Sequence, residues 1–295
     1  MTPIKRIMVA TDMAAFAKRA ESRAAMLAHD LGSESLHLLH IIDNVALEAL
    51  RHLGTAPLET EQRLMESSRQ QLAEIEHGLT EKYGIQVTTT TLNVGRAYTE
   101  IVHYAELMDA SLVVLGAHGG GVVRDLFIGS TVDKVLRKLI QPLLIVKREP
   151  EVPYQKILIL VDFSEASWRA TKFAVSIAPH AHITALQASE VPLHAQLHSA
   201  GIDYNLIQFY EAEAHAQKGM EMRQFVSNLE ASGISANGIV KRGAAYDVIR
   251  KQMEILEPDL VVMGKYGQTE KEEKLLGSVI KRVIQDADCD VLVVD

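Results

Sequence analysis

Gly116-Ala-His-Gly119, nine intervening residues and then Gly129-Ser130 make a spacing suited to phosphate chemistry. Glycines leave no Cβ between a tight backbone turn and a ligand. A Gly-Ser pair opening a helix offers unpaired N–H groups and the positive end of the helix dipole to an anion. The hydroxyls of Ser130 and Thr131 can cap that helix or bond a phosphate oxygen. The arrangement recurs 148 residues later as Gly264-Lys-Tyr-Gly267, nine residues and Gly277-Ser278-Val279. A single loop of this kind is explained as well by turns and a helix cap as by a ligand. Two at identical spacing, each after an apolar run (Ser111-Leu-Val-Val-Leu115, Asp259-Leu-Val-Val-Met263), point to a duplicated unit that keeps the feature. Each copy also has a carboxylate at a matching place: Asp12 after Ile7-Met-Val-Ala10 and Thr11, and Asp162 after Ile157-Leu-Ile-Leu-Val161.

Positioning these residues requires strands that end at them. After Asp12, Ala17, Ala20, Ala24, Leu27 and Leu31 share one helical face; after Asp162, Ala166, Ala170, Phe173 and Ile177 do the same. The first half then reads as strand 36–42, helix 59–82, strand 85–92, helix 98–108, strand 112–115, the glycine loop, a helix from about 131 and strand 143–146. The second repeats this order with strand 183–188, helix 204–232, strand 234–240, a further helix, the second loop and strand 291–294. Short apolar strands alternating with amphipathic helices predict an α/β fold: two tandem, doubly wound, parallel-sheet (Rossmann-like) domains, 1–150 and 151–295. The charged, proline-bearing Arg148-Glu-Pro-Glu-Val-Pro153 is the expected linker. In such sheets ligands sit beyond the carboxyl ends of the strands, where the winding reverses. If the first and fourth strands of each half are neighbours, a carboxylate and a glycine loop face one crevice.

Composition excludes several classes. A chain of 295 residues with 47% apolar and 23% charged residues is ordinary for a globular protein of two domains. A net charge of −8 without a basic stripe argues against a nucleic-acid binder. The single Cys289 excludes a disulfide within the chain, fits a reducing compartment and reads as a buried small residue rather than a nucleophile. Met1-Thr-Pro-Ile-Lys-Arg-Ile-Met-Val reads as a strand rather than a leader, and no run approaches ~20 apolar residues, so no membrane span and a cytoplasmic location are expected.

The G-x-x-G, nine residues, G-S pattern, with an aspartate closing the first strand, resembles the universal stress protein family over nearly the whole chain, as two tandem copies. The resemblance implies an α/β fold and a role in stress response or signalling. The family divides into ATP-binding and non-binding groups, and the glycine motif marks the former. It implies ATP, with Mg²⁺, as the cofactor: Thr11 and Asp12 border the nucleotide, and Ile41 or Ile42 lies near the adenine. Gly116, His118, Gly119, Gly129, Ser130 and Thr131 hold ribose and phosphates; Asp162, Gly264, Tyr266, Gly267, Gly277, Ser278 and Val279 match them in the second half. The resemblance also implies dimers. Pairing of the closing strands 143–146 and 291–294 would cover two apolar edges and make an internal pseudo-dimer, with a homodimer of two chains as the other route.

The halves are unequal. The first has Gly119-Gly-Gly121 and one arginine, Arg124, in its loop, whereas the second has Gln268-Thr-Glu-Lys-Glu-Glu-Lys-Leu-Leu276. That charge run reads first as a solvated helix or loop face; beside a triphosphate its three glutamates would repel it, with Lys265, Lys271 and Lys274 offsetting part of this, so the first half is expected to bind ATP more tightly. The first half in turn reads Met13-Ala14 where the second keeps the Phe163-Ser164 common in the family, which removes a natural helix N-cap. His194 and His198 stand four apart, but no third metal ligand accompanies them; His37 and His40 read as packing or surface residues. Three function classes remain: a nucleotide-binding module, a slow ATPase using Asp12 for Mg²⁺ or water but lacking a Walker lysine, and a nucleotide-free scaffold offering the helical region 204–222 to a protein or lipid.

Overall fold

The computed structural model describes residues 3–44, 47–48, 58–117, 129–190, 202–267 and 277–295. The chain divides into two compact units, one of residues up to 153 together with 288–293, the other of 154–287 together with 294–295.

In the first unit the elements run β1 (Arg6–Thr11), α1 (Ala15–Asp30), β2 (Ser35–Asp43), α2 (Leu58–Tyr83), β3 (Val87–Gly95), α3 (Ala97–Leu107), β4 (Leu112–Gly116), α4 (Ser130–Lys138) and β5 (Leu143–Val146). The parallel strands lie in the order β3-β2-β1-β4-β5. Ile7 pairs with Leu36 on one side and Leu112 on the other, so β1 is central. Its Ile7, Met8 and Val9 are fully buried, as are Val113 and Val114 of β4. These strands are continuous apolar runs rather than alternating ones because both sheet faces are covered. The chain leaves β1 toward β2 and later crosses to β4 on the opposite side, so the winding reverses between β1 and β4.

The second unit runs β6 (Lys156–Leu160), α5 (Glu165–Ile177), β7 (His182–Ser189), α6 (Tyr204–Ala231), β8 (Ala236–Arg242), α7 (Ala245–Leu256), β9 (Leu260–Gly264) and α8 (Ser278–Asp286). Its parallel order β9-β6-β7-β8 reverses between β6 and β9, with Ile157 opposite Leu260. On α6, Ile207, Met222, Phe225 and Leu229 are buried while Tyr204, Leu206, Phe209 and Tyr210 are exposed.

The last strand, β10 (Asp290–Val294), places residues 288–293 in the first unit. It runs antiparallel to β5, with Val291, Leu292 and Val293 opposite Ile145, Leu144 and Leu143, so the two apolar closing strands do pair. Asp290 anchors the pairing. One carboxylate oxygen accepts the N–H groups of Lys147 at 2.8 Å and Arg148 at 3.1 Å, and the other stands 3.4 Å from Nε of the buried Arg23 on α1. Neighbouring Cys289 is buried, and desolvation pushes its thiol up to about 12. It is the inert structural cysteine that the sequence suggests.

Candidate functional site

Both reversal points gather the residues that the sequence singles out. In the first unit β1 ends at Thr11 and exposed Asp12 follows; next to it β4 ends at Gly116. In the second, Val161 and Asp162 follow β6, and neighbouring β9 ends at Gly264. Each aspartate caps the turn that leaves its strand: Asp12 Oδ1 accepts the Ala14 N–H at 3.0 Å, and Asp162 Oδ1 accepts the Ser164 N–H at 3.0 Å. The residue between is left-handed in both copies, Met13 at φ 63° and Phe163 at φ 62°. Non-glycine residues occupy that region rarely and at a cost, so a conformation kept in two differing sequences is a property of the turn itself.

The motif glycines have distinct reasons. A Cβ on Gly116 would stand 2.7 Å from the carbonyl carbon and oxygen of Phe16, and one on Gly264 would meet Ala166 Cβ at 3.0 Å. The first glycine therefore serves the close approach of α1 or α5 to the strand. Gly267 does look into the crevice: a Cβ there would lie 3.3 Å from Asp162 Oδ2.

Gly129 and Gly277 are the N-caps of α4 and α8, with extended-type angles (φ −51°, ψ 136° and φ −55°, ψ 145°) and no side chain to bond the first turn. Ser130 and Ser278 are thus the first helical residues, both exposed, with Thr131 and Val279 half-buried behind them. The sequence reading of Ser130 or Thr131 as the cap is corrected here: the glycine takes the cap position, which leaves first-turn N–H groups uncapped by a side chain. His118 and Gly119, the Gly119-Gly-Gly121 run, Arg124, the glutamates at 270, 272 and 273, Lys271 and Lys274 lie outside the described residues, as do His194 and His198.

Other candidates fall at the rim or beneath it. Ile41 is half-buried and Ile42 buried near the end of β2. Thr11 is buried, and its hydroxyl faces inward, donating to Glu21 of α1 and accepting the Met13 N–H at 2.8 Å. Lys265 is buried with its ammonium 3.5 Å from Asp295, so its charge meets a carboxylate of its own unit. Tyr266, half-buried, lies under that ammonium, which is 5.3 Å from the ring centroid. Two residues escape the sequence reading. His40, read there as packing or surface, donates from Nδ1 to the Thr11 carbonyl at 2.8 Å. Glu21 sits on the alanine face of α1 between Ala17, Ala20 and Ala24. The signal for Glu21 was available, since an acid four residues after Ala17 falls on the face assigned to the core. Among the described residues no group of three or more potential metal ligands occurs, and no helix is long and apolar enough to cross a membrane.

A family model, the universal stress protein family, matches residues 3–147 and again 153–295. The chain belongs to the universal stress protein family. The universal stress protein MJ0531 of Methanocaldococcus jannaschii is 35% identical over 150 residues, covering 50% of this chain and 85% of that protein. A solved universal stress protein from Archaeoglobus fulgidus superimposes with a TM-score of 0.75 over 100% of this chain and 99% of that one; at 18% identity the likeness is one of fold. A universal stress protein solved in complex with cAMP aligns with 49% of this chain and 98% of that one, at 19% identity and a TM-score of 0.35. This universal stress protein is accordingly a tandem of two repeated α/β domains with mostly parallel sheets.

Proposed function

We propose that the protein binds an adenine nucleotide, ATP with Mg²⁺, mainly in the first unit, and acts as a stress-response or signalling module rather than as an enzyme. The observation that carries this reading is the convergence at the reversal of the first sheet. An exposed Asp12 beyond β1 stands beside the end of β4, and the loop that follows leads to a helix whose cap has no side chain. A carboxylate there suits ribose hydroxyls, and an uncapped helix start suits phosphates. Ile41 offers an apolar edge to a base. The second unit has the same frame, with Asp162, Gly267, Gly277 and Ser278 in the matching roles. The glutamates of its loop support weaker binding there. The two matches of the family model within one chain support an internal pseudo-dimer as the assembled form.

The test is calorimetric titration of ATP·Mg²⁺ into the full chain and into Gly129→Glu and Gly277→Glu. Gly129→Glu should abolish the tight site and Gly277→Glu should leave it intact; loss in the second variant alone would overturn the assignment. At a hundredfold excess over Kd, ligand should add about 2.7 kcal/mol to the stability of the wild type.

A further inference from the structure

We propose that Glu21 is a positioning residue of the first unit's crevice, acting through the Thr11 hydroxyl on the turn that carries Asp12; this rests on the nucleotide reading above. Glu21 is 4% exposed, on a helix face otherwise built from Ala17, Ala20, Ala24 and Ala25. A carboxylate there is costly, and burial raises its pKa although the Thr11 hydroxyl and Lys18 both act to lower it, while Asp12 adds to the rise. Alanine would fill the face without that cost, so the carboxylate is explained by what it holds.

What it holds is a relay. The Thr11 hydroxyl donates to Glu21 Oε1, which turns its lone pairs toward the Met13 N–H at 2.8 Å. Met13 is the left-handed residue, and Asp12 Oδ1 closes the turn on the Ala14 N–H. Glu21 thus fixes, through one hydroxyl, the backbone from which the Asp12 side chain projects.

The second unit makes the same turn by other means. Val161 and Thr171 occupy the places of Thr11 and Glu21, and the Thr171 hydroxyl is spent on the Ser167 carbonyl at 2.7 Å. There the turn is held from the helix side. Ser164 caps α5 by accepting the Ser167 N–H, and the Phe163 ring packs edge-on against Phe225, with centroids 5.9 Å apart. In the first unit Ala14 has no side chain to cap with, and the hydroxyl–carboxylate pair beneath the strand supplies the missing restraint.

Titration of ATP·Mg²⁺ into the full chain and its variants decides the matter. Glu21→Ala and Thr11→Val should each weaken the tight site about tenfold, and the double variant should be no weaker than Thr11→Val alone. Glu21→Gln, whose amide oxygen still accepts the Thr11 hydroxyl, and Thr11→Ser should stay within about twofold of wild type. Melting without nucleotide separates positioning from stability: the loss of affinity in Glu21→Ala and Thr11→Val should exceed what their unfolded fraction at the titration temperature accounts for. If Glu21→Ala does not fold, the contrast of Thr11→Val with Thr11→Ser carries the same decision. Unchanged affinity in Glu21→Ala, additive losses, or failure of Glu21→Gln to restore binding would each overturn the role of Glu21. Absence of ATP binding in the wild type would instead remove the nucleotide reading and this inference together.

Discussion

The first glycine of the motif is held by a packed helix in both copies, but more tightly in the first. A Cβ on Gly116 would stand 2.7 Å from the Phe16 backbone, which cannot withdraw without moving α1, whereas one on Gly264 would stand 3.0 Å from Ala166 Cβ and 3.1 and 3.2 Å from the backbone of Ala166 and Ser167. Gly116→Ala should therefore cost about 2 kcal/mol, the middle of the overpacking range, and Gly264→Ala less; urea unfolding measures both. Gly267→Ala, against a carboxylate oxygen at 3.3 Å, should alter the crevice more than the fold. Cys289 gives a second check. With its thiol pushed up to about 12, the protonated form persists through pH 8, so alkylation should follow unfolding and not the thiolate fraction of an exposed cysteine. Rapid labelling of the native protein at pH 8 would contradict that burial. The sequence makes the motif legible at this scale but not the separate reasons for its glycines, because spacing does not say which backbone will be the neighbour.

The elements were largely readable, since strand and helix alternate with clear periods. Departures concentrate at ends. The expected strands 85–92 and 234–240 run instead as Val87–Gly95 and Ala236–Arg242. Each is extended C-terminally by its parallel partner, with Gly95 opposite Asp43 and Arg242 opposite Ser189. Register with a neighbour sets such limits, and local composition does not record it. The missing cap before α1 was legible from Ala14, and the place of Glu21 on the core face of the helix was legible from its spacing, but the bond by which Thr11 and Glu21 compensate was not, because spacing does not show which side chains meet. Ala14→Ser should add roughly 0.5–1 kcal/mol by restoring a cap, and Ser164→Ala should cost about 1 kcal/mol. Thermal melts of the two variants should thus shift in opposite directions. An Ala14→Ser protein no more stable than wild type would mean that the Thr11 relay already meets the need.

At the scale of the molecule, two repeats were visible in the residues and two compact units are found, but the last strand belongs with the first of them. Its anchor, Asp290 with Arg23, has no counterpart in the repeat pattern: Phe173 and Pro142 stand at the matching positions. This pair is the part of the architecture that duplication could not reveal. Removing one partner leaves the other charge buried alone, so Asp290→Ala should lose about 3–5 kcal/mol on chemical denaturation. A loss below about 1 kcal/mol would show that the Arg23 contact is screened. The pairing of β10 with β5 also imposes an order on biosynthesis. The first unit's sheet is translated by residue 146, yet its bordering strand begins at residue 290. At roughly 5–20 residues per second, the ribosome leaves β5 without that neighbour for about seven to thirty seconds. A nascent chain stalled short of its C-terminus is therefore the form most in need of a chaperone.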